Sequence, residues 1–303
     1  MTSAAQIRLR TRPEGLPQDD VWEKTGDAPR EPEDGEISVE VQYVSVDPAM
    51  RGWINDTRSY VPPVGIGEVM RAGGVGKVTA SKSDKIAVGD TVLGTLGVQT
   101  HYVGTAQGFT KIMPELAPPP KFLGGLGMPG MTAYFGLLDV GQPKEGDTVL
   151  VSGAAGAVGS VVGQIAKIKG CRVVGIAGGK EKCDIVVDKY GFDACIDYKT
   201  EDVAKALKSA CPDRIDIYFD NVGGSILEQA LARIAMHGRI LLCGAISQYN
   251  SAAMTGPSNY MNLLVQRARM EGFVVFDYAA RFPEAIMEMM GWMQEGKLLL
   301  DEH

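Results

Sequence analysis

Seven residues, Gly153-Ala154-Ala155-Gly156-Ala157-Val158-Gly159, have the types and spacing of a phosphate cradle. Glycine at the first position permits a tight turn, and the small residues after it let the backbone approach a pyrophosphate. Gly159 allows the following helix to pack close to a sheet. The helix start then aims N–H groups and a partial positive charge at the phosphates. Glycine strings also occur in ordinary turns. This one stands between a short apolar strand at 148–151 and a helical run at 158–169 closed by Gly170, which is the setting a dinucleotide site requires.

The end of the second strand decides which dinucleotide fits. A site for NAD carries Asp or Glu there, bonding the ribose 2′-hydroxyl and repelling a 2′-phosphate. Here Val173-Val174-Gly175-Ile176-Ala177 runs into Gly178-Gly179-Lys180-Glu181-Lys182, so the first acid arrives late and between two lysines. A lysine offers a point charge to a phosphate, although both would also suit the solvated start of a helix. The missing strand-end acid favours NADPH.

Metal chemistry finds no ligands. A catalytic zinc needs three Cys, His or carboxylate ligands; the histidines are His101, His237 and His303, and no cysteine precedes Cys171. The five cysteines, Cys171, Cys183, Cys195, Cys211 and Cys243, include no CxxC pair. There is no GxSxG elbow and no HExxH pair, so hydrolase and metalloenzyme readings fall together.

The surrounding pattern supplies the elements to hold such a site. Before residue 120, β-like runs at 37–44, 75–79 and 91–93 alternate with Pro, Gly and Asp turns, which predicts a compact β module. Ala117-Pro118-Pro119-Pro120 is a stiff connector. Beyond 145, strands at 148–151, 172–177, 215–219 and 239–243 alternate with helix-length segments, predicting an α/β, doubly wound parallel sheet of Rossmann type. The expected domains are residues 1–122 and 123–303. The 303-residue chain has room for both cores, and 45% hydrophobic with 22% charged residues is an ordinary globular balance. A net charge of -7 argues against nucleic acid. No apolar run is long enough for a signal peptide or a bilayer span. With an odd number of cysteines and no disulfide framework, a reducing, cytoplasmic setting is expected.

Further strings carry a family resemblance: Gly127-Met128-Pro129-Gly130-Met131-Thr132-Ala133-Tyr134 ahead of the glycine turn, Val46-Asp47-Pro48-Ala49-Met50-Arg51-Gly52, Asp220-Asn221-Val222-Gly223-Gly224, Cys243-Gly244-Ala245-Ile246-Ser247-Gln248-Tyr249-Asn250 and Glu271-Gly272-Phe273. From about residue 35 to the end, the chain resembles the zinc-independent branch of the medium-chain dehydrogenase/reductases. That branch holds leukotriene hydroxydehydrogenase/prostaglandin reductases, plant alkenal double-bond reductases and bacterial curcumin reductase.

The resemblance implies a GroES-like β domain joined to the Rossmann domain, and NADPH-driven reduction of the carbon–carbon double bond of enones and enals. It assigns Gly156, Ala157, Val158 and Gly159 to the pyrophosphate, and Gly178, Lys182 and Tyr198 to the adenosine 2′-phosphate side. Met131, Thr132 and Asn221 would lie along the cofactor. Cys243, Gly244, Ala245, Ile246, Ser247 and Tyr249 would form the loop beside the nicotinamide ribose, with Phe273, Val274 and Val275 close by. Tyr249 would donate a hydrogen bond near the substrate carbonyl, as the catalytic group. Relatives carry tyrosine where this chain has Ala49, and Tyr60 is the substitute considered for that wall of the substrate pocket. Relatives also continue about three dozen residues further, in a tail that returns to the β domain; its absence predicts exposed apolar surface and reduced activity. A homodimer is a family-level expectation. The alternatives are NADPH-dependent quinone reduction, oxidation of a secondary allylic alcohol, and cofactor binding with little activity.

Overall fold

The computed structural model describes residues 4–251 and 253–302, so His303 lies outside the described residues. The chain divides into two compact units, one running to Gly124 and one starting at Gly125.

The first unit is built on antiparallel strands. β1 (Ala4–Leu9) pairs with β2 (Trp22–Asp27) as a two-stranded ribbon. A five-stranded sheet combines β3 (Glu36–Val44), β4 (Gly73–Ser81), β5 (Thr91–Thr95), β6 (His101–Thr105) and β7 (Thr110–Ile112) in the order β6-β3-β4-β5-β7. Ile37, Val39, Val78 and Val92 fill its core, following the alternation that sends every second side chain inward. The longest helix here is α1 (Met50–Trp53), a single turn, as the sparse helical patterning predicts. Tyr60 is exposed, on the loop that leaves this turn. The base of that loop is tied by Arg12, whose guanidinium donates to the carbonyls of Ile54 at 3.0 Å and Val64 at 2.6 Å.

The second unit holds a six-stranded parallel sheet. Its strands are β8 (Thr148–Ser152), β9 (Arg172–Ala177), β10 (Ala194–Asp197), β11 (Ile215–Asp220), β12 (Ile234–Leu242) and β13 (Arg269–Gly272), ordered β10-β9-β8-β11-β12-β13. This is the doubly wound order, and the chain reverses direction across the sheet between β8 and β11. The helices are α2 (Met128–Phe135), α3 (Ala157–Ile168), α4 (Lys180–Asp184), α5 (Val203–Ala210), α6 (Gly224–Arg233), α7 (Asn262–Gln266) and α8 (Phe282–Gln294). Every residue of β8 is buried, as expected of a strand covered by helices on both faces. Leu150, Val174, Tyr218 and Ile240, from four neighbouring strands, share one core cluster. β12 begins five residues before the predicted strand at 239–243 and ends at Leu242, so Cys243 lies just past it.

Two contacts place α3, the helix that follows the glycine turn. A Cβ at Gly163 would overlap the Phe192 ring, so glycine here lets the helix lie against the segment leading into β10. Farther along the chain, the buried Gln164 side chain donates to the Leu299 carbonyl at 3.0 Å and accepts from the Leu299 amide at 2.7 Å. Leu298 and Leu300 are buried at 2% and 6% exposure. The side chain of Leu299, between them, is 41% exposed.

Alanine in place of a helix-interior glycine normally stabilises by about 1 kcal/mol. Gly163→Ala is expected to destabilise instead, by about 1–3 kcal/mol, because the added methyl must displace a packed ring. Gly291→Ala in α8, where nothing stands within 4 Å of the new methyl, should show the ordinary gain. Urea denaturation of the two variants side by side checks the pair.

Candidate functional site

The carboxyl ends of β8 and β11 meet at the point where the strand order reverses, and the glycine turn, Asn221 and the loop after β12 lie there. After β8 the chain turns through Gly153 at φ +63, a conformation that glycine adopts without strain. A Cβ at Gly159 would overlap the Gly153 carbonyl, so that glycine lets the turn close against the first helical turn. Gly156 caps α3 in extended conformation, and the amides of Ala157, Val158 and Gly159 open the helix, where no earlier carbonyl of the helix reaches them. The residues therefore fit the diphosphate of a dinucleotide: small, backbone-exposing and at the positive end of a twelve-residue helix.

Asn221 stands across the turn, with its Cβ 3.6 Å from where a side chain at Gly153 would begin. Its amide Nδ2 donates to the Ser152 carbonyl at 2.7 Å, and its backbone N–H donates to Ser152 Oγ at 3.0 Å. The loop after β12 is hung on the same place. The amides of Cys243 and Gly244 both donate to the Asp220 carbonyl, that of Ile246 to Asn221, and that of Ser247 to Val222, whose carbonyl also accepts from Ser247 Oγ at 2.6 Å. Ala245 packs on Gly223. Tyr249 is half-buried and folds back along this loop, its phenol oxygen accepting from the Ala245 amide at 3.2 Å. Burial, and then the neighbouring Asp220, push the Cys243 thiol up to about 12.

At the other end of the site, Gly178 allows the Tyr198 ring to lie directly on the chain, where a Cβ would come within 2.8 Å of it. β9 ends in Ala177, and the carboxylate nearest its end, Asp197 at the end of β10, is engaged by the Gly179 amide at 2.7 Å, the Lys199 amide and the Thr200 hydroxyl. These bonds hold Asp197 below the usual carboxylate range, the Gly179 amide most strongly. Lys180 is ion-paired with Asp184 at 2.6 Å, whereas Lys182 is exposed and makes no ion pair among the described residues. Lys199, beside Tyr198, is an exposed cation that the sequence patterns did not single out.

Four further predicted residues lie inward or bond within their own helix. Met131 is wholly buried, and the Thr132 hydroxyl donates to the Met128 carbonyl at 2.8 Å within α2. The Phe273 ring meets Phe219 edge-on at 6.0 Å between centroids, and Val275 is buried. Tyr60 belongs to the first unit.

The residues that sequence reasoning passed over are Ser152, Tyr218 and the carboxylate of Asp220. Asp220 is fully buried, and its Oδ1 accepts from Tyr218 Oη at 2.7 Å, Ser152 Oγ at 3.2 Å, and the amides of Val222 at 2.9 Å and Gly223 at 2.8 Å. Burial nevertheless raises its pKa above the usual value, against the pull of those donors. The only signal was the aspartate opening Asp220-Asn221-Val222-Gly223-Gly224. Among the described residues no group of three or more His, Cys, Asp or Glu could hold a metal ion, and no helix is long and apolar enough to cross a membrane.

Comparison with known proteins agrees on both units. Residues 5–112 match a family model described as the N-terminal domain of oxidoreductases, and residues 157–292 match one described as zinc-binding dehydrogenase. The protein YfmJ of Bacillus subtilis is 47% identical over 99% of this chain and 89% of its own length. The NADPH-dependent curcumin reductase of Escherichia coli is 42% identical over 96% of this chain and 86% of its own. The crystal structure of CurA from Vibrio vulnificus in complex with NADPH is 44% identical and superposes with a TM-score of 0.93, covering 99% of this chain and 90% of that one.

Asp220→Asn puts an NH2 group or a weaker acceptor against donors that now converge on one carboxyl oxygen. Loss of about 1–3 kcal/mol of stability is expected, measured by urea denaturation. Tyr218→Phe removes one donor, and the expected loss is smaller.

Proposed function

The chain belongs to the zinc-independent branch of the medium-chain dehydrogenase/reductases, a family of NADP-dependent oxidoreductases, and we propose that it reduces the carbon–carbon double bond of α,β-unsaturated ketones and aldehydes with NADPH. The observation that carries this reading is the switch point. A diphosphate cradle, Asn221 and the Tyr249 loop converge there, and the β9 end beside them offers lysine instead of a free carboxylate. Relatives named for curcumin, 2-alkenals and prostaglandins, at 42%, 44% and 41% identity, support the same substrate class.

In this reading Gly156, Ala157, Val158 and Gly159 hold the diphosphate, Lys182 and Tyr198 hold the 2′-phosphate end, and Asn221 with the loop from Cys243 to Ser247 lines the rest. Bound NADPH supplies a hydride to the β-carbon of the enone. Negative charge then builds on the substrate carbonyl oxygen, and the Tyr249 phenol donates a hydrogen bond to it, a stabilisation that needs no metal. A proton taken up at the α-carbon completes the saturated ketone.

Residues 1–122 are proposed as the substrate-binding domain and 123–303 as the cofactor domain. The open outer edge of β13 is the face proposed for a homodimer. Five free thiols fit a reducing, cytoplasmic compartment.

NADPH consumption with a simple enone, a quinone and no acceptor tests the proposal. Turnover with the enone supports it; NADPH binding without consumption by the enone overturns it. Tyr249→Phe should lower enone kcat about a hundredfold, the scale of one lost donor to a developing oxyanion, with NADPH affinity unchanged. Lys182→Ala should weaken NADPH about tenfold and leave NADH affinity unaltered, since one charge-assisted contact is worth on the order of 1.4 kcal/mol. Equilibrium titration of both nucleotides checks the latter.

A further inference from the structure

Two thiols that the proposed reaction does not use stand together beneath the 2′-phosphate end of the site. Cys183 lies on α4, immediately after Lys182, and Cys195 lies on β10, two residues before Asp197. The Cys195 thiol donates to the Cys183 sulfur with the two Sγ atoms 3.1 Å apart. Both line a surface depression together with Gly179, Asp197, Lys199 and Thr200, so small oxidants reach them from solvent. Cys171 and Cys211, in contrast, are buried.

We propose that Cys183 and Cys195 are a reversible dithiol–disulfide pair whose closure weakens binding of the 2′-phosphate of NADPH. The inference rests on the NADPH reading given above. The sulfurs need to approach by only about 1 Å to reach disulfide length. Both elements are suited to give that distance. β10 is the edge strand of the sheet, paired on one side only, and α4 is a five-residue helix that continues into the π-helical segment Ile185–Lys189 rather than into a regular helix. α4 also starts from Gly179 at φ +103, whose amide is bonded to Asp197 on β10. Drawing Cys183 toward Cys195 therefore moves Lys182 and the Gly178-Gly179 turn together, away from the place where they address a phosphate.

The chemistry balances with a hydroperoxide as oxidant. The Cys183 thiolate attacks the peroxide oxygen, forming a sulfenic acid and releasing water or an alcohol. The Cys195 sulfur, as its thiol loses a proton, then displaces hydroxide to form the S–S bond, and a second water leaves. Two thiols lose two electrons and two protons, and the peroxide gains them. Cys183 is the attacking group because its sulfur accepts a hydrogen bond from the Cys195 thiol, which favours its thiolate. Burial is the main reason its thiol sits above the ordinary value, with Asp197, Glu201 and Asp184 adding to it, and burial raises Cys195 further.

The test compares reduced and hydrogen-peroxide-treated full-length protein. Peptide mass spectrometry should find the Cys183–Cys195 cross-link, two hydrogens lighter than the dithiol, and dithiothreitol should reverse it. Titration should then show NADPH bound about tenfold more weakly by the oxidised form, with NADH unaffected. Cys183→Ser and Cys195→Ala should each keep full NADPH affinity after peroxide. No cross-link, an unchanged NADPH affinity in cross-linked protein, or an equal loss in the Cys195→Ala variant overturns the pair. If the reduced protein fails to bind NADPH, the cofactor reading fails while the cross-link still decides whether the thiols pair.

Discussion

The carboxyl ends of β8 and β11 are locked together by a small buried network, and the site hangs from it. Ser152 closes β8 and Asp220 closes β11, and the serine hydroxyl lies 3.2 Å from the aspartate Oδ1. The strands are neighbours in the sheet, yet the chain leaves them in different directions, so two turns must diverge from one spot. Backbone groups freed by that divergence need partners, and unmet buried amides are costly. Asp220 meets two amides of the second turn and Ser152 meets the Asn221 amide. The glycine turn, Asn221 and the loop after β12 thereby acquire fixed relative positions before any ligand arrives.

Close packing of α3 against the sheet is the second requirement, because its N-terminus can only address a phosphate if the helix sits where the turn delivers it. Glycines at 159, 163 and 175 remove the side chains that would hold the layers apart, and the Ala154 methyl occupies the space above Gly175. The Gln164 amide then bonds Leu299 on both sides of its backbone. These are steric and hydrogen-bonding constraints, and they say nothing about which dinucleotide is held. In the proposed reading that choice is electrostatic and is made where β9 and β10 end. There Asp197 is engaged by its own loop while lysines occupy the surface.

The Tyr249 loop shows how far a local motif reaches. Its residues are recognisable as a string, but their placement comes from four amides that bond to carbonyls at 220–222, one strand earlier in the path of the chain. A loop so tethered has little ordering left to do on binding, and in the proposed reaction that would preorganise the Tyr249 phenol for the substrate carbonyl.

The sequence by itself determined the alternation of strands and helices, the phosphate-binding turn and the lack of a strand-end acid or a zinc ligand set. Each is a local matter: periodicity, the conformational freedom of glycine, or the presence of a residue type at a position. Strand 172–177 is found as read, and the helix read as 158–169 appears as Ala157–Ile168, because apolar patterning and the closing Gly170 are encoded within a few residues. Tertiary structure alone decided the role of Ser152 with Asp220, which lie 68 residues apart, the inward turn of Met131 and Phe273, and the meeting of Cys183 with Cys195. Those depend on which strands become neighbours and on how α4 lies against β10. Neither periodicity nor composition carries that information, since a pairing between distant residues is settled by the packing of the whole sheet.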